Sequence, residues 1–163
     1  MSEFNPAIDY SLQNEDYDLS GEITKEPNGG FAKYGINSLS HPNVNLNTLT
    51  LDQAKQIFED EYWSPNLLGN IIIQQIATKC LDCIINIDEK AKKIIQQVAG
   101  VEEDGFIGPV TIAAINILTL EYFTNKIVPL LVAHYTLENQ IAVAKGESYP
   151  LDGLLARARK MPL

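Results

Sequence analysis

The stretch from Ser64 to Ile87 limits what this chain can fold into more than any other. It is apolar on most sides of a helix, with Leu68, Ile71, Ile76, Cys80, Ile84 and Ile87 among many others. A helix with so little polar surface has to be enclosed by neighbouring elements. Ser64-Pro65 has the form of an N-cap followed by proline at the first helical position, so a central, largely buried helix is expected from there to about Ile87. Its apolar run Leu67 to Ile76, and a second at Ile127 to Val132, are shorter or more interrupted than the about 20 apolar residues that a bilayer span needs, so no membrane insertion is expected.

Other helices are expected to surround this one. Phe4 to Asn14 reads as a short helix with Pro6 near its start, which puts Glu15 at its C-terminal end. Thr50-Leu-Asp-Gln53 has the capping-box form, with Leu51, Ala54, Ile57, Phe58 and Tyr62 following on one face to about Tyr62. Asp88 is placed to cap a further helix carrying Ala91, Ile94, Ile95 and Val98, and Gly100 suits the left-handed residue that ends it. Asp104-Gly105 forms a turn, Pro109 restarts a helix to about Leu118, and a longer helix covers about Asn125 to Lys145. Pro129 fits that helix only near its first turn or at a kink. After a break from Gly146 to Pro150, Leu151 to Lys160 closes the chain as a basic helix.

The region Asp16 to His41 differs. Gly, Pro, Asn and Ser with isolated apolar residues favour turns and short strands, and any β structure is expected there. The fold class is therefore mainly α, with a small Gly-rich loop or β-hairpin near the N-terminus. At 163 residues and 45% hydrophobic content the chain can bury one real core. It divides at about residue 87 into a first part, 1–87, and a helical lobe, 88–163, packed on it as one unit.

A net charge of -9 argues against a nucleic-acid partner, since such proteins collect Lys and Arg to displace counterions from phosphates. Acid is concentrated early: Glu3, Asp9, Glu15, Asp16, Asp18, Glu22 and Glu26 stand against Lys25 alone. Met1 to Tyr10 has no basic or apolar signal region, so synthesis in the cytoplasm without a visible signal peptide is expected. Cys80 and Cys83 have C-x-x-C spacing but neither the strand-to-helix context of a redox site nor two further zinc ligands, and read as buried helical thiols. His41 and His134 belong to no triad or metal pattern. No metal or cofactor is called for. Tyr62-Trp63, at a helix end, reads as packing before it reads as a sugar platform.

Several short elements in one order carry a resemblance. They are Glu15-Asp-Tyr17, Gly29-Gly-Phe-Ala-Lys-Tyr-Gly-Ile36, Ala54-Lys-Gln-Ile-Phe-Glu-Asp-Glu-Tyr-Trp63, Leu81-Asp-Cys-Ile-Ile-Asn86, Ile95-Gln-Gln-Val-Ala-Gly100, Asp104-Gly-Phe-Ile-Gly-Pro-Val-Thr111 and Gly153 to Arg157. Together they resemble glycoside hydrolase family 108, bacterial and phage lysozymes that include secretion-activating proteins, with a predicted peptidoglycan-binding C-terminal half. The chain departs from the family pattern where Asp16-Tyr17 replaces Gly-Gly, where the loop to Gly29 is longer, and at Ala32 in place of threonine.

The resemblance implies a lysozyme-like fold and an N-acetylmuramidase that cleaves the β-1,4 bond of the peptidoglycan glycan strand. It implies a monomer, acting in the periplasm or cell wall after release by a holin, a virion or an export route. An alternative is a catalytically degenerate module that binds peptidoglycan or a protein on the same scaffold. Cleavage needs a carboxylic acid to protonate the leaving oxygen, usually with a second carboxylate. Glu15 is the acid carried over. Desolvation at a helix end against apolar neighbours would favour its protonated form. Glu26, before the Pro27-Asn-Gly-Gly30 turn, is the choice for the second carboxylate, with Glu22 and Asp18 as rivals. Lys33 and Tyr34, at the end of the Gly-rich loop, and Asp82 and Asn86, from the central helix, are the candidates for binding sugar.

Overall fold

The computed structural model describes residues 1–15, 19–26 and 29–163, with Glu15 described by its backbone only. Helix α1 spans Phe4–Glu15, and Ala7, Ile8 and Leu12 recur along one side and are buried. That stripe, more than intrinsic propensity, holds so short a helix. Its start is tied down as well: Ser2 Oγ donates to the Ile71 carbonyl at 2.7 Å, and the Gln74 amide exchanges two hydrogen bonds with the Glu3 backbone, at 2.7 and 2.9 Å.

The Gly-rich region forms a three-stranded antiparallel sheet in sequence order: β1 (Thr24–Lys25), β2 (Phe31–Lys33) and β3 (Ile36–Asn37). Thr24 faces Ala32, which faces Asn37 on its other side. Tyr34 and Gly35 join β2 to β3 with φ of +50° and +78°. Two positive φ values in a row are what a tight hairpin turn of matching twist requires, and glycine is the residue that meets the second without strain.

Helix α2 (Leu51–Phe58) begins in the capping box read from sequence, with Thr50 Oγ1 accepting from Gln53 N at 3.2 Å and Gln53 Oε1 accepting from Thr50 N at 3.0 Å. It continues as a π-helical turn, Glu59–Trp63. Trp63 is buried, its ring edge-on to Phe4 at 5.7 Å, and Phe58 packs on Tyr62 at 5.9 Å. The Tyr-Trp pair is packing, as expected.

The central helix starts later than the sequence reading placed it. Ser64 closes the preceding π turn, donating its N–H to the Glu59 carbonyl, and Leu67 has φ +53°. A left-handed residue interrupts helix propagation, so Ser64-Pro65 opens a turn, followed by a 3₁₀ turn at Leu68–Asn70. Helix α3 runs Gln74–Ala99 and is broken at Ile87 and Asp88, where Asp88 has φ +34° and ψ -113°. The break falls where a new helix was expected. Asp88 pairs with Lys92 at 2.7 Å, one turn on, and Gly100 ends the helix at φ +71°.

Three helices complete the chain: α4 (Pro109–Asn116), α5 (Leu120–Ala144) and α6 (Leu151–Arg159). The Asp104-Gly105 turn is fixed by Gln96, which donates to Asp104 Oδ1 at 2.6 Å and accepts from Gly105 N at 2.8 Å. Helix α5 begins at Leu120, earlier than the expected Asn125, because Thr119 caps it by accepting from Tyr122 N at 3.1 Å. Pro129 therefore lies well past the first turn, inside the helix. Helix α1 lies along α3, and α5 packs on α3 and α6. The buried core includes Ile8 and Leu12 of α1, Ile84 and Ile95 of α3, and Phe123 and Leu131 of α5. No helix among the described residues is long and apolar enough to cross a membrane.

Candidate active site

A cavity of about 480 Å³ opens where the end of α1, the small sheet, α2 and the first half of α3 meet. Ser11 and Leu12 line it from α1, Glu26, Gly35 and Asn37 from the sheet and its loops, Phe58 from α2, and Ile85 and Asn86 from α3. Glu15 is the last residue of α1. It follows Ser11 by four positions and Leu12 by three, which places it on the helix face that borders the cavity. Its carboxylate lies outside the described residues, and so does its separation from other acids.

Glu26 is set by its own backbone. Its N–H donates to the Gly30 carbonyl at 2.8 Å, and its carbonyl accepts from Gly29 at 3.0 Å. These two bonds hold the Glu26 backbone against Gly29 and Gly30. Gly35 matters in a different way. A Cβ there would meet Phe58 Cζ at 3.2 Å, so the glycine lets the hairpin approach α2 closely and shape the cavity wall between them. Behind the hairpin, His41 Nε2 lies 3.0 Å from Glu61 Oε2, a contact that fastens the loop after β3 to the π turn.

Of the residues nominated from sequence, Glu26 and Asn86 line this cavity; Glu22, Lys33, Tyr34 and Asp82 are not among the residues lining it. Glu22 is exposed on the loop before β1, its N–H donating to Ser20 Oγ at 3.3 Å. Lys33 Nζ sits over the Tyr34 ring, 5.3 Å from its centre. Tyr34 itself covers Gly21, where an added Cβ would lie 2.8 Å from Tyr34 Cζ. Asp82 is 1% exposed and its carboxylate is engaged inside the protein, by Arg157 Nη2 at 2.9 Å and Asn14 Nδ2 at 3.2 Å. Asp18 lies outside the described residues, as do Asp16, Tyr17, Pro27 and Asn28.

Asn86 is held from behind, its Oδ1 accepting from the Tyr135 hydroxyl of α5 at 2.8 Å. Burial pushes the Tyr135 phenol well above its ordinary value, so it stays protonated as the donor at any ordinary pH. Ser11, Gly35, Asn37, Phe58 and Ile85 were not nominated from sequence as site residues. The helical spacing from Glu15 was a signal for Ser11, but Asn37 and Phe58 meet only through tertiary packing. Among the described residues no three His, Cys, Asp or Glu side chains are placed to share a metal ion.

The comparisons with known proteins bear on the same region. Residues 21–87 match the family model described as Glycosyl hydrolase 108. That interval holds Glu26, Gly35, Asn37, Phe58, Ile85 and Asn86 of the cavity and begins after Glu15. The structure of Brucella abortus SagA is similar over 95% of this chain and 92% of that chain, with a TM-score of 0.69 at 24% sequence identity, which shows a shared fold. No curated protein matches the sequence.

Proposed function

We infer that this chain, whose residues 21–87 match the family model described as Glycosyl hydrolase 108, is a peptidoglycan hydrolase of lysozyme type that cuts the β-1,4 bond between N-acetylmuramic acid and N-acetylglucosamine. One observation carries the reading: Glu26 lines a cavity of about 480 Å³ together with Ser11 and Leu12, the residues one turn before Glu15 at the end of the same helix. Glu26 thus lines a polar groove of a size that takes sugar rings, and Glu15 follows one helical turn after two of the other lining residues.

Glu15 is the general acid, giving its proton to the leaving glycosidic oxygen. Glu26 is the second carboxylate, which activates water or stabilises the positive charge that develops on the ring. Asn37 and Asn86 supply amide groups suited to hydroxyl and N-acetyl substituents, and Phe58 and Ile85 supply apolar wall. The protein acts in the periplasm or wall, as a phage endolysin or a secretion-linked lysin, reached through a holin, a virion or an export route.

A turbidity assay on outer-membrane-permeabilised cells tests this. Wild type clears the suspension, Glu15→Gln does not, and mass spectrometry of the products finds reducing N-acetylmuramic acid. Equal clearing by both proteins removes Glu15 from the mechanism. The second reading, a binding module without catalysis, is favoured by Asp16-Tyr17 and Ala32 standing where the family pattern has Gly-Gly and threonine. Absence of clearing by wild type, with retention on purified walls in a pelleting assay, selects it.

A further inference from the structure

Beneath the end of α1 lies a charged network that the cavity does not use. Asp82 of α3 takes the Arg157 guanidinium of α6 at 2.9 Å and the Asn14 amide of α1 at 3.2 Å. Lys79, one turn earlier on α3 and 1% exposed, donates to the Arg157 and Lys160 carbonyls at 2.8 and 2.9 Å. Lys160 Nζ then returns to Asn14 Oδ1 at 2.8 Å, and the Tyr10 hydroxyl donates to the Lys160 carbonyl at 3.0 Å. Asn14 is therefore held on both ends of its amide. It is the residue before Glu15, at a helix terminus, where unpaired carbonyls leave the backbone free to fray.

Such a network is a poor way to gain stability, because desolvating the ions offsets most of their attraction, and an apolar contact would hold α6 equally well. What hydrogen bonds between charged groups do supply is direction and register. We propose that Arg157 of the C-terminal helix and Lys160 just past its end, acting through Asp82 and Asn14, are positioning residues that fix the last turn of α1 and with it the Glu15 carboxylate. The proposal rests on the reading of Glu15 as the acid. It makes α6 a working part of the site, although no α6 residue lines the cavity. General acid catalysis depends on the acid lying within hydrogen-bond reach of the leaving oxygen, and a misplacement of about 1 Å can lower the rate about a hundredfold.

The test uses the full chain and soluble glycan strands, with kcat and KM measured for Asn14→Ala, Arg157→Met, Arg157→Lys, Glu15→Gln and Gln96→Ala. Asn14→Ala and Arg157→Met are expected to lower kcat about tenfold or more with KM within about twofold of wild type, the pattern of a group lost from the transition state alone. Arg157→Lys recovers part of the loss. Gln96→Ala frees the distant turn at residues 104–106 and lowers the melting temperature while kcat holds. If Arg157→Met does not fold, Asn14→Ala decides, since its side chain is only half-buried. An inactive Glu15→Gln beside wild-type kcat in Asn14→Ala overturns the positioning role and leaves the acid in place. Full activity of Glu15→Gln overturns the acid assignment and the positioning proposal together.

Discussion

The Tyr135 hydroxyl donates to Asn86 Oδ1 at 2.8 Å, so a residue of α5, in the second half of the chain, sets the orientation of an amide that lines the cavity. With its oxygen so engaged, Asn86 has its amide hydrogens left as donors. Tyr135→Phe removes the anchor and little volume. Loss of one buried hydrogen bond lowers stability by about 1 kcal/mol. If Asn86 binds sugar, KM rises about threefold while kcat changes little. Urea unfolding reads the first effect and steady-state kinetics the second; an unchanged KM takes Asn86 out of substrate binding.

Glu26 and Glu22 compete for the second carboxylate, and their surroundings separate them. Glu26 lines the cavity, whereas Glu22 is exposed on the loop before β1. Glu26→Gln keeps the shape and removes the charge, and is expected to reduce the lysis rate about a hundredfold, near the lower range for a group engaged in acid–base work. Glu22→Gln is expected to retain wild-type activity. The reverse result would move the second carboxylate to Glu22.

Much of this arrangement was legible in the sequence, for identifiable reasons. The capping box at Thr50, the glycine stop at Gly100 and the break at Asp88 depend on neighbours within a turn, and local pattern reports them. Ser64-Pro65 misled because the chain turns left-handed at Leu67, and the segment just after it is bonded by distant residues, Ser2 to the Gly69 and Ile71 carbonyls and Asn116 to Asn70 and Ile72, which local pattern does not report. Asp82 shows the same limit at the site. Its spacing of four residues from Asn86 places both on one helix face, but Arg157 lies 75 positions away, and no local signal shows that it claims the carboxylate. Gly35 was visible as part of a glycine motif, but its contact with Phe58 was not.

Alkaline pH should loosen the seam between α1 and α6. Burial, then the nearby Asp82 charge, push the Tyr10 phenol up from 10.0 to about 12. The folded state thus keeps its proton where the unfolded chain has lost it. By linkage, the stability this contributes is complete below pH 10 and is lost as pH rises through the folded value near 12. Ionisation also removes the hydroxyl hydrogen that Lys160 accepts. Stability measured by urea unfolding should fall between pH 10 and 12, with a shallower fall in Tyr10→Phe. Equal slopes for the two proteins would mean that Tyr10 titrates alike in both states.

Cys80 and Cys83 offer a direct probe of how often the core opens. Both thiols are free and buried on α3. Burial raises Cys80 well above its ordinary value and Cys83 to about 12. Because the thiolate is the nucleophile, two barriers protect these residues in the folded protein: access and protonation. Both disappear together on unfolding, when ordinary thiols with a pKa of about 8.5 are exposed. At pH 8, a disulfide reagent such as dithionitrobenzoate should therefore react slowly with native protein, and fully and fast in concentrated urea. Where opening and closing outpace modification, the native rate follows the open population, so destabilised variants label faster in proportion to the stability lost. Lys79→Met is a stringent case. It leaves the Arg157 and Lys160 carbonyls without their buried donor, at a cost of about 3 kcal/mol, which corresponds to labelling roughly a hundredfold faster than wild type. Native protein that labels at the rate of the unfolded chain would show that this part of α3 is open to solvent.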